Sequence, residues 1–395
     1  MSTDAAKIKS EIGSRLLGPY GAFAFTLGFG WFVLAPLVPT EIARLGAPLG
    51  AILLLISLYG YAMVAGSLPA GYYVSRRGPG PALVVAVVLT FVGLTIRALA
   101  SSYDMFLAGQ IIAALAYPFL IAPIGAVLRM SGVRATKTGT GLVIGTLFLG
   151  MAFGALVGGH LGASNGLWLA VVLNVIAGGW LARLAVRQAP RPGQALGPLN
   201  LAVHPRWIVG FVVASTSVMF GSVATAALVH LHSPVATIVG GNLTALTFLG
   251  SALGAAAFGW IGQQMREASE GLERVLGVAA LVFTFIAAAF LTGVIPTTAG
   301  GIDLTFFLLG ISGNAWYTLA LEDSARAAVG AGAAGLATAG YSLASNVGVA
   351  VVPVLLGPLA ISAGGAWLGL TTALVMLGVA VTFFTRVKSR DLATP

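Results

Sequence analysis

Long apolar runs separated by short polar interruptions make up most of the chain. Such runs suit membrane-spanning helices, because an α-helix needs about 20 mostly apolar residues to cross a bilayer. They are continuous and lack the alternation typical of outer-membrane strands, so they predict helices and not a β-barrel. Twelve predicted spans cover about residues 17–39, 48–74, 81–100, 103–130, 139–161, 166–187, 207–231, 236–263, 275–295, 302–322, 332–357 and 365–386.

The composition supports an all-α polytopic membrane protein. Of 395 residues, 58% are hydrophobic and 8% charged, whereas soluble domains carry about 25% charged residues. The chain has no cysteine, which excludes disulfide frameworks and thiolate chemistry. The polar N-terminal segment and the long apolar run after it do not resemble a cleaved signal peptide. Disordered and secreted disulfide-rich classes are excluded.

The distribution of Lys and Arg predicts the topology, because cytoplasmic loops are enriched in these residues. With a cytoplasmic N-terminus, all 20 Lys and Arg residues except Arg44 and Arg97 fall on the cytoplasmic side of the spans. The net charge of +9 therefore reflects cytoplasmic loops and not a nucleic-acid surface. We predict a monomeric, multi-pass protein of an inner or plasma membrane, with both termini in the cytoplasm and no nucleic-acid partner.

Two halves are predicted from the longest polar interruption and from weak internal similarity. The segment Phe106-Leu-Ala-Gly109 is similar to Phe307-Leu-Leu-Gly310, and Gly141-Leu-Val-Ile-Gly145 is similar to Gly335-Leu-Ala-Thr-Ala-Gly340. Each pair occupies equivalent spans of the two halves, as expected for a duplicated six-helix unit. We predict a six-helix bundle over 1–187, a cytoplasmic linker over 188–206 and a second bundle over 207–395.

Three motifs carry a family resemblance. Gly71-Tyr-Tyr-Val-Ser75-Arg76-Arg77-Gly78 follows the second span, Phe106-Leu-Ala-Gly109-Gln110 lies in the fourth, and Gly150-Met-Ala-Phe-Gly154-Ala155-Leu-Val-Gly158-Gly159 lies in the fifth. With the twelve spans, they resemble the major facilitator superfamily. Ser75 replaces an acid of the family's turn between spans 2 and 3, Gln110 stands where an intramembrane Arg is frequent, and Ala155 replaces a Pro. The glycine motif implies either an exporter or ordinary helix packing.

The resemblance implies a substrate site near the bilayer midplane, between the two halves. The polar and aromatic candidates along the spans are Trp31, Tyr59, Gln110, Tyr117, Ser217, Asn314, Trp316, Tyr317, Tyr341 and Asn346. Each could instead be a packing residue. No Asp, Glu, Lys or Arg lies in the central third of a predicted span, although such charges normally mark ion or anion pathways. Amide, hydroxyl and aromatic groups favour a neutral or weakly cationic solute.

Candidates for coupling and gating lie at the ends of the spans. Glu41 and Asp303 on the outer side are the candidate proton carriers, and facilitated diffusion is the alternative. Arg76 belongs to the turn after span 2. Arg129, Glu322 and Asp323 end spans 4 and 10 and are predicted to close the cytoplasmic side by salt bridges. The pair His230 and His232 lacks a third ligand and does not share a helix face, so no metal site and no cofactor are expected.

The predicted function is secondary transport of a small neutral or weakly cationic organic solute by alternating access, with efflux favoured. An uptake facilitator and a proton-coupled symporter for a small organic acid or sugar are the alternatives, with protons as the candidate ion. A rival class is an intramembrane serine hydrolase, because Gly310-Ile-Ser312-Gly313 resembles the rhomboid serine motif. That chemistry needs a later His to activate the serine, and no His follows His232. The chain is therefore not expected to be an enzyme.

Overall fold

A computed structural model describes residues 3–130, 135–187, 207–215, 236–265, 269–291, 295–296, 298–327, 338–351 and 371–380. Within these ranges the regular structure is helical and no strand occurs. The helices are α1 (Thr3–Phe32), α2 (Val38–Leu45), α3 (Leu49–Arg77), α4 (Pro79–Leu99), α5 (Tyr103–Ala114), α6 (Ala116–Ile121), α7 (Ile124–Met130), α8 (Thr136–Leu161), α9 (Ala163–Ala185), α10 (207–215), α11 (Ala236–Met265), α12 (Ser269–Leu291), α13 (Ala299–Ala327), α14 (338–351) and α15 (371–380).

Seven segments among the described residues are long and apolar enough to cross a membrane. They are Arg15–Leu37, Pro79–Leu99, Tyr103–Leu128, Thr136–Leu161, Ala163–Ala185, Asn242–Met265 and Ala299–Asp323. Each coincides with one of the twelve predicted spans. The chain is therefore an all-α polytopic membrane protein, as the apolar pattern predicted.

The fourth predicted span is broken into the three helices α5, α6 and α7. Proline lacks the N–H that would bond to the carbonyl four residues earlier, and its ring crowds that carbonyl. Helix α5 ends at Ala114, four residues before Pro118, and α6 ends at Ile121, two residues before Pro123. The two prolines thus account for the two interruptions. The interruption places Tyr117 in α6, where its ring faces the centre of the bundle.

Helix α8 lies at the centre of the described structure, where α1 and α11 both pack against it. A Cβ atom placed on Gly154 would lie 2.7 Å from the Phe29 carbonyl oxygen and 2.8 Å from the Val33 nitrogen of α1. A Cβ atom on Gly145 would lie 3.0 Å from the carbonyl oxygen of Ala252 in α11. The glycine motif of the fifth span thus has a packing role, because it lets helix backbones approach closely.

We predict that Gly154→Ala lowers the thermal stability of the purified protein in detergent, because the added methyl group would overlap the backbone of α1. Overpacking of this kind costs about 1–3 kcal/mol. Gly179→Ala in α9 is the matched control, since no atom of another described element lies within 4 Å of a Cβ atom there. Equal unfolding midpoints for the two variants would contradict the packing role.

Candidate functional site

A cavity of about 150 Å³ lies between helices of the two predicted halves. Helices α3, α6 and α8 of the first half face α10, α11, α13 and α14 of the second. No Asp, Glu, Lys or Arg occurs among the lining residues that the structure describes. They are Tyr59, Met63, Tyr117, Ile121, Ile144, Leu147, Phe148, Met151, Gly210, Val213, Ala214, Thr244, Thr247, Phe248, Ser251, Gly313, Asn314, Trp316, Tyr317, Tyr341, Ser345, Asn346 and Val349.

The lining includes most of the residues proposed from the sequence, namely Tyr59, Tyr117, Asn314, Trp316, Tyr317, Tyr341 and Asn346. Trp31 is buried behind the wall and meets Tyr59 and Tyr117 edge to face, with ring centroids 6.0 and 5.4 Å apart. Trp31 therefore fixes the two tyrosine rings and does not itself line the cavity. Ser217 lies outside the described residues.

Gln110, where a family Arg was expected, does not line the cavity. Its side-chain Nε2 donates to the Leu55 carbonyl oxygen at 2.8 Å and ties α5 to α3. The side chain is fully buried. Gln110 thus has a helix-packing role here, which was the alternative reading of a buried amide.

A cluster of charged side chains lies at the predicted outer end of the bundle. Its member Glu41 was a candidate from the sequence, whereas the part played by Arg97 and Arg44 was not predicted. Arg97 was predicted near the outer end of the span 81–100, and its side chain is fully buried. It donates to the Gly30 carbonyl oxygen at 2.8 Å and lies over the ring of Phe106, 5.3 Å from its centroid. No local pattern predicts this burial, because an Arg near a span end normally extends to water.

Glu41 is the carboxylate of this cluster and is also fully buried. Its Oε2 accepts hydrogen bonds from Arg44 at 2.6 and 3.0 Å. Arg44 reaches the Ala100 carbonyl oxygen at 2.6 Å, and Arg97 is close enough to Glu41 to interact with it electrostatically. The short helix α2 presents Glu41 and Arg44 one turn apart, so they form an intrahelical pair.

The predicted cytoplasmic end carries polar contacts between the two predicted halves. Lys137 Nζ of α8 lies 3.2 Å from Asp323 Oδ1 of α13. Thr136 Oγ1 donates to Glu322 Oε1 at 2.6 Å. The Lys137 backbone N–H also donates to Gln263 Oε1 of α11 at 3.1 Å. The two acids thus contact α8. The Arg129 side chain lies outside the described part, so its predicted salt bridges with these acids stay a prediction.

The remaining candidates take no part in these contacts. Arg76 is exposed at the end of α3 and stacks on Tyr72, with its guanidinium carbon 5.2 Å from the ring centroid. Gly78, at φ +87°, makes the tight turn into α4. Asp303 is half-buried near the start of α13. His230 and His232 lie outside the described residues, within which no group of three metal-binding side chains occurs.

Solved structures with a similar fold are transporters. The human organic anion transporter MFSD10 (TETRAN) has a TM-score of 0.72 and 14% identity, with 94% of this chain and 99% of that chain covered. A bacterial homologue of the iron transporter ferroportin, in an outward-facing state, also has a TM-score of 0.72 and 14% identity, with coverages of 96% and 99%. Such low identity shows the fold alone. A comparison with curated proteins gave no match.

Together with the family match that follows, the helical fold and its membrane-spanning segments define the class as a multi-pass membrane transporter. The sequence model described as Major Facilitator Superfamily matches residues 21–335, which is most of the chain. The chain therefore belongs to the major facilitator superfamily, as the motifs of spans 2, 4 and 5 indicated.

Proposed function

We propose that this transporter carries a small neutral or weakly cationic organic solute through the central cavity by alternating access, with efflux as its net direction. The observation that carries the proposal is the uncharged lining of aromatic, amide and hydroxyl groups. A buried carboxylate or phosphate solute would need a charged partner. The buried cations are engaged elsewhere, Arg97 by Gly30 and Phe106, and Lys137 by Asp323.

The direction and the location are proposed on other grounds. Efflux rests on the resemblance of the Gly150–Gly159 segment to an exporter motif, beside the packing role that these glycines have. The asymmetry of Lys and Arg supports a plasma or inner membrane with both termini in the cytoplasm. The similarity of the two sequence halves supports bundles over 1–187 and 207–395, joined by the linker 188–206 and acting together as a monomer.

We predict that filling the cavity abolishes binding. A panel of neutral, cationic and anionic one-ring organics is compared by thermal unfolding of the purified protein, because a ligand that binds the folded state raises its stability. Neutral and cationic members should stabilise the native chain but not Leu147→Trp, whose indole would occupy the cavity. Leu142→Trp is the control, since Leu142 is on the same helix and 54% exposed. Stabilisation by anions alone would contradict the proposed solute class.

The contacts at the predicted cytoplasmic end support a gate that holds the halves together there. Removing one member of a buried ion pair typically costs about 3–5 kcal/mol, which is enough to move an equilibrium between two conformations. In the turn after α3, Ser75 replaces the acid that the family has there. The proposed gate instead uses the ion pair of Lys137 with Asp323. We therefore expect the conformational balance to depend on Lys137 more than on Arg76.

We predict that Lys137→Met separates the two halves at this end. Spin labels at Arg77→Cys in α3 and Gln264→Cys in α11 report the separation, and the native chain has no competing cysteine. The distance distribution should lengthen in Lys137→Met and recover in the charge exchange of Lys137→Asp with Asp323→Lys. Arg187→Met, an exposed cation at the same end, should leave it unchanged. An unaltered distribution in Lys137→Met would rule out the gate.

Proton coupling is proposed to run through Glu41. Its carboxylate is enclosed between Arg44 and Arg97, so a change in its protonation would alter a buried charge cluster. Asp303 is half-buried, and its charge has a smaller effect where water reaches it. Buried ionisable groups in membrane proteins commonly mark ion pathways.

We predict that Glu41→Gln uncouples solute flux from proton flux, whereas Asp303→Asn does not. An internal pH-sensitive dye in proteoliposomes should record proton movement driven by a benzylamine gradient in the native protein and in Asp303→Asn. The pH change caused by passive diffusion of benzylamine is measured in protein-free vesicles and subtracted. The remaining signal should disappear in Glu41→Gln while protein-dependent entry of radiolabelled benzylamine persists. Proton movement that persists in Glu41→Gln, or is absent from the native protein, would refute this role.

A further inference from the structure

We infer that the solute is a hydrogen-bond donor, an organic amine or alcohol, and that its donor end faces the wall formed by α11, α13 and α14. Its apolar end then lies against α3, α6 and α8. The inference rests on the proposed function, because it specifies which solutes the same cavity accepts. It follows from the directions of the hydrogen bonds that five side chains of this wall make, namely Thr247, Ser251, Asn314, Ser345 and Asn346.

Three hydroxyl groups of this wall use their hydrogens within their own helices. Ser251 Oγ donates to the Thr247 carbonyl oxygen at 2.8 Å, and Thr247 Oγ1 donates to that of Leu243 at 2.8 Å. Ser345 Oγ donates to the Ser342 carbonyl oxygen at 3.1 Å. A hydroxyl has one hydrogen and two lone pairs. The three hydroxyls therefore present only acceptor lone pairs to the cavity.

The two amide groups of the wall are oriented by the same logic. Asn314 Nδ2 donates to Ser251 Oγ at 2.6 Å, and Asn346 Nδ2 donates to the Ser342 carbonyl oxygen at 2.8 Å. The Asn346 amide cannot be reversed, because the Ser342 carbonyl only accepts. The Asn314 amide keeps this orientation as long as Ser251 donates its hydrogen to the Thr247 carbonyl oxygen. Within the described part of the chain, neither Oδ1 accepts a hydrogen bond. The amides thus add two strong acceptors to the wall.

The facing wall has a different chemistry. Met63, Leu147, Phe148 and Met151 give it an aliphatic and aromatic surface. The Tyr117 hydroxyl is buried and has no hydrogen-bond partner among the described residues, so it can accept or donate. The cavity therefore has an acceptor-rich side and an apolar side, which matches a molecule with a donor at one end.

Unsatisfied acceptors select for donors. A solute that carries only acceptors would leave these oxygens desolvated and unpaired, which costs about 1–3 kcal/mol for each buried group. An ammonium group satisfies several acceptors at once and is attracted to aromatic faces such as those of Tyr317 and Trp316. A cavity of about 150 Å³ fits a single ring, since an apolar cavity of about this volume binds benzene.

Four one-ring probes test the inference on the native protein. Benzyl alcohol and anisole are isomers, of which only the alcohol has a donor. Benzylamine is a cationic donor at neutral pH, and benzoate is an anion with acceptors only. Dissociation constants come from the dependence of the unfolding midpoint on probe concentration. A probe can also shift the midpoint by altering the detergent micelle. The midpoint shift that the probe causes in Leu147→Trp, whose cavity is filled, is therefore subtracted.

Benzylamine and benzyl alcohol should bind at least about tenfold more tightly than anisole, and benzoate should not bind. Anisole or benzoate binding as tightly as the donors would overturn the inference while leaving a cavity that binds organic solutes. No binding by any of the four probes up to their solubility limits would overturn both the inference and the proposed function. The two failures are therefore distinguishable.

Variants test the orientation of the solute. In Asn314→Asp the hydroxyl of Ser251 can turn to the new carboxylate, and the added charge should raise the preference for benzylamine over benzyl alcohol about tenfold. Asn346→Leu should weaken both donors about tenfold and leave anisole unchanged. Asn174→Asp, a buried amide of α9 that bonds Thr26, is the control with an unchanged preference. Unchanged selectivity in either folded cavity variant would overturn the assigned orientation.

Discussion

Helix α8 carries glycines on two faces, and each face meets the backbone of another helix. Gly154 and Gly158 contact α1, whereas Gly141 and Gly145 contact α11. The axes of two helices packed through larger side chains usually lie about 8–10 Å apart. Larger residues in place of these glycines would therefore move the cavity walls apart. Because lipid is as apolar as the side chains, close packing and not the hydrophobic effect holds such helices together. The central cavity depends on this approach.

The same helix connects the cavity to one end of the bundle. Ile144, Leu147, Phe148 and Met151 of α8 line the cavity, and Lys137 at its start meets Asp323. A movement that breaks the ion pair therefore displaces a cavity wall. Alternating access needs such a rigid connection, because the solute must lose contacts on one side as the other side opens. The interface of α8 with α11 and α13 therefore links opening of the cytoplasmic end to a change of the cavity in the proposed cycle.

The sequence predicted the helices and much of the cavity lining, because both follow from local signals. Apolar length marks a span, and an Asn or Tyr deep inside a span must find a polar environment or a cavity. The burial of Arg97, near a span end, and of Lys137, between two spans, was not predicted because it depends on partners that are distant in sequence, such as Gly30 and Asp323. Gln110 was predicted to line the cavity, but its amide instead bonds a neighbouring backbone carbonyl. Whether a deep amide lines a cavity or packs against a helix depends on the folded arrangement.

Counterflow in proteoliposomes tests the central claim, that the uncharged central cavity carries one solute at a time between the two sides. Vesicles containing the purified protein are loaded with unlabelled benzylamine and diluted into a trace of labelled benzylamine. A carrier should accumulate the label transiently above its equilibrium level and saturate with external concentration, and Leu147→Trp should do neither. Linear uptake with no overshoot would mean that the pathway is a pore, and it would contradict the account.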